Sequence, residues 1–519
     1  MPNYTVPGVY VTESGFVSRT QRSSTARSTA VFFGEAARGP VDATLIDSWS
    51  SYKVLYGELS PSYDLGYAVY HYFANGGREA YVVRVPASDA TKASATVTYR
   101  PQGIGSSVTA DLFATKAISA GAWGNNLKVS ITPSTITTAS STQYPAFTLT
   151  ITLTNSSGVD VEVERWTELS ADPSSSRSIH SIINTYSKYV TIDAYGAGSG
   201  QVTQPALSAS AVITSAVVSY TSGSDGASAV GSSDYEAALS KLDVVEGVLL
   251  LNAVNRTETS TVNAFLAKAS SRGNAFVIID PVIGETSSSS IASTVGNYTS
   301  SNYGAVYYPA LKMVDPSKTG PGAIRTTAPG GAIAGAFVRT EVERNVAKSP
   351  AGYNVDLRNA LGLEVTFSES VAGNLYATNA VNMLKAIPGG GIIINGARTL
   401  DKNAPGKFIT TRRTLNYLKQ RLKEATAFAV FEPNDTRLWD TLSIGISGIL
   451  AEFWRSGGLK GASAQEAFYV VCDETNNTAT SIDNGEVHVE VGVALQSPAE
   501  FVVINISQWT GGSNTAETL

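Results

Sequence analysis

Short, largely apolar runs occur in two separated parts of this sequence. Ala30-Val-Phe-Phe-Gly34 and Ala80-Tyr-Val-Val-Arg-Val85 lie before residue 95, whereas Val248-Leu-Leu-Leu251, Ala275-Phe-Val-Ile-Ile279 and Ala305-Val-Tyr-Tyr308 lie after residue 230. A strand without polar alternation must be covered on both faces, the situation of a parallel sheet between two helical layers. Helical stretches fall between the runs at residues 50–56, 67–73 and 260–270, and Asn75-Gly76-Gly77 supplies a glycine stop. The two parts are therefore expected to share one sheet, as a discontinuous α/β domain of residues 29–94 and 231–388.

The intervening residues 95–230 are dominated by Ser, Thr, Gly and Val. Phe147-Thr-Leu-Thr-Ile-Thr-Leu153 and Val159-Asp-Val-Glu-Val-Glu164 alternate at period two, as half-buried strands do. This pattern predicts an inserted β-sandwich that exits through the Gly/Ser-rich stretch 220–233. Residues 389–519 read as a separate α+β unit. Ile392-Ile-Ile394 is a short strand, and residues 412–425 form a basic helix with Leu415, Leu418 and Leu422 on one face. Asn434 or Asp435 caps a further helix whose Leu438, Leu442, Ile446, Ile449 and Phe453 repeat at helical spacing. Val487, Val489, Val491 and Val493 alternate as a strand, and Phe501-Val-Val-Ile-Asn-Ile506 forms the last one. At the other end, Tyr4 to Val11 is β-rich but broken by Pro7-Gly8, and the polar residues 18–28 carry Arg19, Arg22 and Arg27. Residues 1–28 read as an arm and linker rather than the centre of a sheet.

Chemistry-bearing residues are sparse. His71, His180 and His488 stand apart with no companion at metal-ligand spacing, and Cys472 is the single cysteine of the 519 residues. No metal, cofactor or catalytic residue is predicted. Pro388-Gly-Gly-Gly391 precedes a strand where a phosphate loop would open a helix, and Gly320-Pro-Gly322 with Pro329-Gly-Gly331 reads as a turn-rich connector. A formal charge of −6 gives no general attraction to nucleic acid or anionic membrane. The start of the chain lacks an export signal, and residues 438–454 contain Asp440 and Glu452, so that stretch reads as a buried helix rather than a membrane span.

Several longer blocks stand in order along the chain. They begin with Pro7-Gly-Val-Tyr-Val-Thr-Glu13, Gly34-Glu-Ala-Ala-Arg-Gly-Pro40 and Phe73-Ala-Asn-Gly-Gly-Arg-Glu-Ala-Tyr-Val-Val-Arg-Val85. Ala122-Trp-Gly-Asn-Asn-Leu127, Tyr307-Tyr-Pro-Ala-Leu-Lys312 and Gly335-Ala-Phe-Val-Arg-Thr-Glu-Val-Glu-Arg344 follow. Asn395-Gly-Ala-Arg-Thr-Leu400, Val430-Phe-Glu-Pro-Asn-Asp-Thr-Arg-Leu-Trp439, Gly458-Leu-Lys-Gly461, Glu466-Ala-Phe-Tyr-Val470 and Cys472-Asp473 close the series. Together, in this order, these blocks resemble the contractile tail sheath family of bacteriophages and related injection systems.

The resemblance implies a subtilisin-like, non-catalytic α/β domain with an outward-facing sandwich and a C-terminal sheath domain. It implies a helical homo-oligomer around an inner tail tube protein, with baseplate and tail terminator proteins as further partners. No direct nucleic-acid contact, membrane insertion or cofactor is implied, and the place implied is a virion tail assembled in a bacterial cytoplasm. Terminal strands would cross between subunits, through Tyr4, Val6, Val9, Tyr10 and Val11 at one end. Val487, Val489, Val491, Phe501, Val503 and Ile504 would do so at the other. Basic residues Arg412, Lys419, Lys423, Arg455 and Lys460 are candidates to face the tube. A sheath of a cell-borne injection system is an alternative of the same kind. A β-sandwich adhesin and a serine hydrolase are alternatives of other kinds.

Overall fold

Each apolar run alternates its side chains between two hydrophobic layers, and that alternation builds the main sheet. The computed structural model describes residues 28–99, 110–137, 143–155, 157–170, 175–193, 216–320, 322–403 and 406–500. Its first elements are β1 (Ser28–Gly34), β2 (Thr44–Ile46), α1 (Trp49–Tyr56), α2 (Leu65–Ala74) and β3 (Ala80–Arg84). After the insertion come β4 (Val248–Ala253), α3 (Thr259–Arg272), β5 (Ala275–Ile279), β6 (Gly304–Tyr308) and α4 (Gly330–Glu343). Then follow α5 (Glu369–Asn379), β7 (Val381–Ile387) and β8 (Gly391–Asn395).

The eight strands lie in the order β8-β7-β6-β5-β4-β1-β3-β2. The inner six are parallel, and β2 and β8 each add an antiparallel edge. Phe32, Leu250, Phe276, Ile278 and Tyr307 face a layer containing α1, α2 and α4. Their neighbours Phe33, Leu251, Val277, Ile279 and Tyr308 face the opposite layer, with α3 and α5. Strand β8 corrects the expected boundary at residue 389: Ile392-Ile-Ile394 pairs with β7 and closes the α/β sheet.

Pro329-Gly-Gly331 is not a connector. It opens α4, which is buried from Gly330 to Thr340 and packs on α2. A Cβ on Gly331 would overlap the Ala68 carbonyl, and one on Gly335 the Tyr72 carbonyl. Glycine is needed here for close approach of two helix backbones rather than for a turn. The α4 N-terminus meets Asp280, whose Oδ1 accepts from Gly330 N at 2.8 Å. Asp280 Oδ2 accepts from Asn252 Nδ2 and Asn255 N, each at 3.0 Å.

Burial pushes Asp280 up to about 6 despite these donors. The folded chain thus keeps a proton between pH 3.8 and about 6 that the unfolded chain releases, so stability falls as pH rises through that window. Urea midpoints across the window are expected to fall in the parent chain, with a shallower fall in Asp280→Asn. Identical slopes in the two would exclude Asp280 as the source.

Between β3 and β4 the chain forms two antiparallel sheets. One comprises Ser94–Tyr99, Ala110–Ala117 and Val190–Ile192; the other has the order Ala216–Ser219, Leu127–Thr137, Gln143–Thr154, Asp160–Ser170. They share a core that includes Phe113, Trp123, Phe147, Leu149 and Tyr220. The incoming and outgoing chains are joined by bridges Thr91–Ser224 and Ser94–Thr221. Arg38 locks this unit to the α/β domain. Its guanidinium lies 4.7 Å from the Tyr189 ring centre and 5.6 Å from that of Trp123. It also donates to the Lys53 and Val54 carbonyls at 3.2 and 3.1 Å, in the last turn of α1.

Candidate assembly interface

The basic stretch after the main sheet folds as α6 (Ile409–Thr426), longer than expected and much more deeply placed. Thr410, Arg412, Arg413, Asn416, Gln420 and Arg421 are all buried. Their polar atoms meet the α/β domain: Asn416 Nδ2 donates to the Ala275 carbonyl at 2.8 Å, and Gln420 Oε1 accepts from Asn274 at 3.3 Å. Arg413 Nη2 pairs with Glu341 Oε2 of α4 at 2.6 Å, and its guanidinium lies over Phe337. Leu418 is buried, but Leu415 and Leu422 are only half-buried, so the leucine face is not what docks this helix.

Next comes α7 (Thr436–Arg455). Asp435 caps it, accepting from Leu438 N at 3.0 Å, a contact of about 1 kcal/mol for such caps. Asn434 does a different job, accepting from Trp439 Nε1 at 2.9 Å and donating to the Glu486 carbonyl at 3.0 Å. The buried side of α7 is the predicted one, with Leu438, Leu442, Ile446, Ile449 and Phe453. Against it packs a two-stranded antiparallel sheet of β9 (Phe468–Val471) and β10 (Glu490–Val493), in register Phe468–Val493 to Val471–Glu490. Cys472 packs beside Leu438 and Leu442, and burial pushes its thiol up to about 11.

Of the predicted interface residues, Tyr4, Val6, Val9, Tyr10, Val11, Phe501, Val503 and Ile504 lie outside the described residues. Val487, Val489 and Val491 correct the expectation of a free arm. Val487 and Val489 precede β10 and pack against the Leu438–Trp439 cluster, and Val491 sits in β10 paired with Val470 of its own chain. Among the basic candidates, Arg412 is also corrected. It is 3% exposed with its guanidinium 4.4 Å from the Tyr303 ring centre, so it is spent inside the subunit. Lys419 is half-buried, whereas Lys423, Arg455 and Lys460 are exposed. The stripe predicted on α6 exists by spacing, but it runs from interior to surface as the helix emerges.

Ser317, Asp315 and His71 do not form a Ser-His-Asp relay. Ser317 Oγ donates to Asp315 Oδ1 at 2.6 Å, directing its proton to a carboxylate rather than to an imidazole. His71 is buried, which pushes its pKa down to about 4, and its Nδ1 has no hydrogen-bond partner. Among the described residues no group of three or more His, Cys, Asp or Glu is placed to hold a metal. Nor is any helix there long and apolar enough to cross a membrane.

The family profile of the phage tail sheath C-terminal domain matches residues 401–508, which take in α6, α7, β9 and β10. Residues 401–508 are thus similar to a phage tail sheath C-terminal domain. The tail sheath protein of Vibrio phage KVP40 is 27% identical over 191 residues, 36% of this chain and 27% of the relative. That of Enterobacteria phage T4 is 26% identical over 188 residues, with the same shares. The chain thus aligns with about a quarter of the length of these curated relatives. Solved structures match far more of it in fold. The contracted sheath of the PVC extracellular contractile injection system has a TM-score of 0.57 at 20% identity, covering 98% of this chain and 99% of that one. A sheath tail protein of Listeria innocua has a TM-score of 0.59 at 13% identity, covering 88% and 90%. The segment matched by the family begins just past β8, close to the boundary that the sheet pairing sets.

Proposed function

We propose that this chain is the structural subunit of a contractile tail sheath, polymerising helically around an inner tube and shortening to drive that tube through a target envelope. What supports this most is the coincidence of a sheath C-terminal domain with a fold matched over 98% of the chain by a contracted sheath. On this reading the α/β domain is a subtilisin-like scaffold without catalysis, and the insertion is an outward-facing sandwich. Contraction then runs on energy stored in the extended lattice. Helical growth needs only a head-to-tail contact that does not close into a ring.

The two-stranded β9–β10 sheet suits the strand exchange this reading requires. Among the described residues it has no third strand, so it retains edges on which strands from neighbouring subunits can add by backbone pairing. Residues 1–12 and 501–506 are the donors in this scheme, and the exposed Lys423, Arg455 and Lys460 are the contacts to the tube. Such exposed charges are individually weak, which suits a grip that must release. Baseplate and terminator proteins complete the partners, in a virion tail assembled in the host cytoplasm. A cell-borne injection sheath is the second reading, favoured by the whole-chain fold likeness to the PVC sheath.

Electron microscopy of the purified full chain, alone and with its tube protein, tests the proposal. Helical tubes or sheathed filaments are expected. Monodisperse subunits at high concentration, with and without tube, would remove it.

A further inference from the structure

The connector that follows β10 does not hang from the sheath domain. Gln496 Nε2 donates to the Leu459 carbonyl at 3.0 Å, and four residues later the chain reaches the α/β domain at Glu500. Arg398 grips that carboxylate with two prongs: Nε to Oε1 at 2.8 Å and Nη2 to Oε2 at 2.7 Å. Lys407 Nζ lies 3.4 Å from Oε2, and the Tyr376 hydroxyl donates to Oε1. The side chains of Arg398 and Glu500 are each 10% exposed. These donors hold the Glu500 carboxyl down to about 2, so it is ionised at any pH the protein is handled in.

The grip is held in place from below. Asn382 of β7 accepts from Arg398 N and donates to its carbonyl, both at 2.8 Å. The Arg398 guanidinium lies 4.1 Å from the Tyr376 ring centre and donates to the Tyr376 carbonyl at 3.2 Å. Three elements thus converge on one carboxylate: α5 through Tyr376, the turn after β8 through Arg398, and the approach to α6 through Lys407. The connector lines a cleft of about 1240 Å³ between the β7–β8 edge and Ser456-Gly457 at the end of α7. Without the grip, that open side leaves it free to swing.

We propose that Arg398, Lys407 and Tyr376 form a carboxylate-recognition site whose ligand is Glu500 of the same chain. Occupied, it makes the connector a strut between the sheath domain and the α/β domain, and fixes the point at which the following segment departs. Its role in assembly rests on the sheath reading above; the clamp itself does not.

The test compares the full parent chain with Glu500→Gln, using Glu474→Gln, an exposed site away from the clamp, as control. Hydrogen exchange followed by mass spectrometry is read over residues 494–500, and tube-templated assembly by electron microscopy. Loss of a charge-assisted fork is expected to speed exchange there about tenfold or more, with exchange in β9 and β10 unchanged. Assembly is expected to fail or to give short, irregular sheaths in Glu500→Gln alone. Unchanged exchange overturns the clamp, whatever the assembly result. Faster exchange with normal sheaths overturns its role in assembly. If the parent chain builds no sheath, the proposed function falls, while exchange still judges the clamp.

Discussion

Gly331→Val is expected to destabilise the chain by about 3 kcal/mol or more, the upper end for overpacked sites. The reason is the backbone of α2. A Cβ at residue 331 would run into the Ala68 carbonyl and its neighbouring backbone atoms, which belong to a helix and not to a flexible side chain. The helices would have to part, and the layer containing Phe276, Phe337 and Tyr307 would open with them. Gly373→Ala is the matched control. Gly373 also lies within a helix, α5, but nothing stands within 4 Å of an added Cβ, so alanine there is expected to stabilise by about 0.5–1 kcal/mol. Urea unfolding of both variants checks the pair. Equal effects at the two positions would mean that helix propensity, not contact between α2 and α4, governs Gly331.

Glu341→Ala is expected to cost about 3–5 kcal/mol, because it strands the Arg413 cation in the interior. The Arg413 and Glu341 side chains are 2% and 7% exposed, and burial already pulls the Arg413 pKa down. Glu341 also accepts from Ser28 N at 3.0 Å, and Arg413 donates to Ser28 Oγ at 3.2 Å, so the start of β1 loosens in the same variant. The double variant Glu341→Leu with Arg413→Met is expected to recover most of the loss, since it removes both charges. Chemical denaturation of the single and double variants measures this. A double variant no better than Glu341→Ala would show that the pair itself, rather than the orphaned charge, carries the stability.

Five strands of the sheet, β1, β3, β4, β5 and β6, were legible in the sequence because their runs are largely apolar on both sides, a signal that needs no knowledge of distant residues. The three-residue β2, and β7 with its Asn382 and Lys385, carry no such signal. The α7 cap and apolar stripe were legible for the same reason: Asp435, Leu438 and Leu442 act within a few residues of one another. What could not be read depends on partners far along the chain. Gly330-Gly331 looks like a turn until Ala68 is placed beneath it. Arg412 and Arg413 look like a solvated face, but their partners Tyr303 and Glu341 lie 109 and 72 residues away in the sequence, respectively. The resemblance anticipated the match of residues 401–508 to a tail sheath C-terminal domain, yet assigned Val487, Val489 and Val491 to an arm when they pack and pair within their own chain. No local signal marks Glu500 either, because a glutamate after Ser-Pro-Ala reads as ordinary surface until Arg398 is brought to it.

The stem of the insertion has a consequence for how the subunit carries load. Four backbone hydrogen bonds of 2.9–3.2 Å close it, in reciprocal pairs between Thr91 and Ser224 and between Ser94 and Thr221. A pull transmitted along the chain from β3 to β4 therefore crosses at the stem and never traverses the two sheets beyond it. The insertion is a side loop in the mechanical circuit, shorted at its base. Shortening or exchanging the sheets beyond the stem, with a partner for Arg38 kept, is therefore expected to leave the path of tension through the α/β body unchanged.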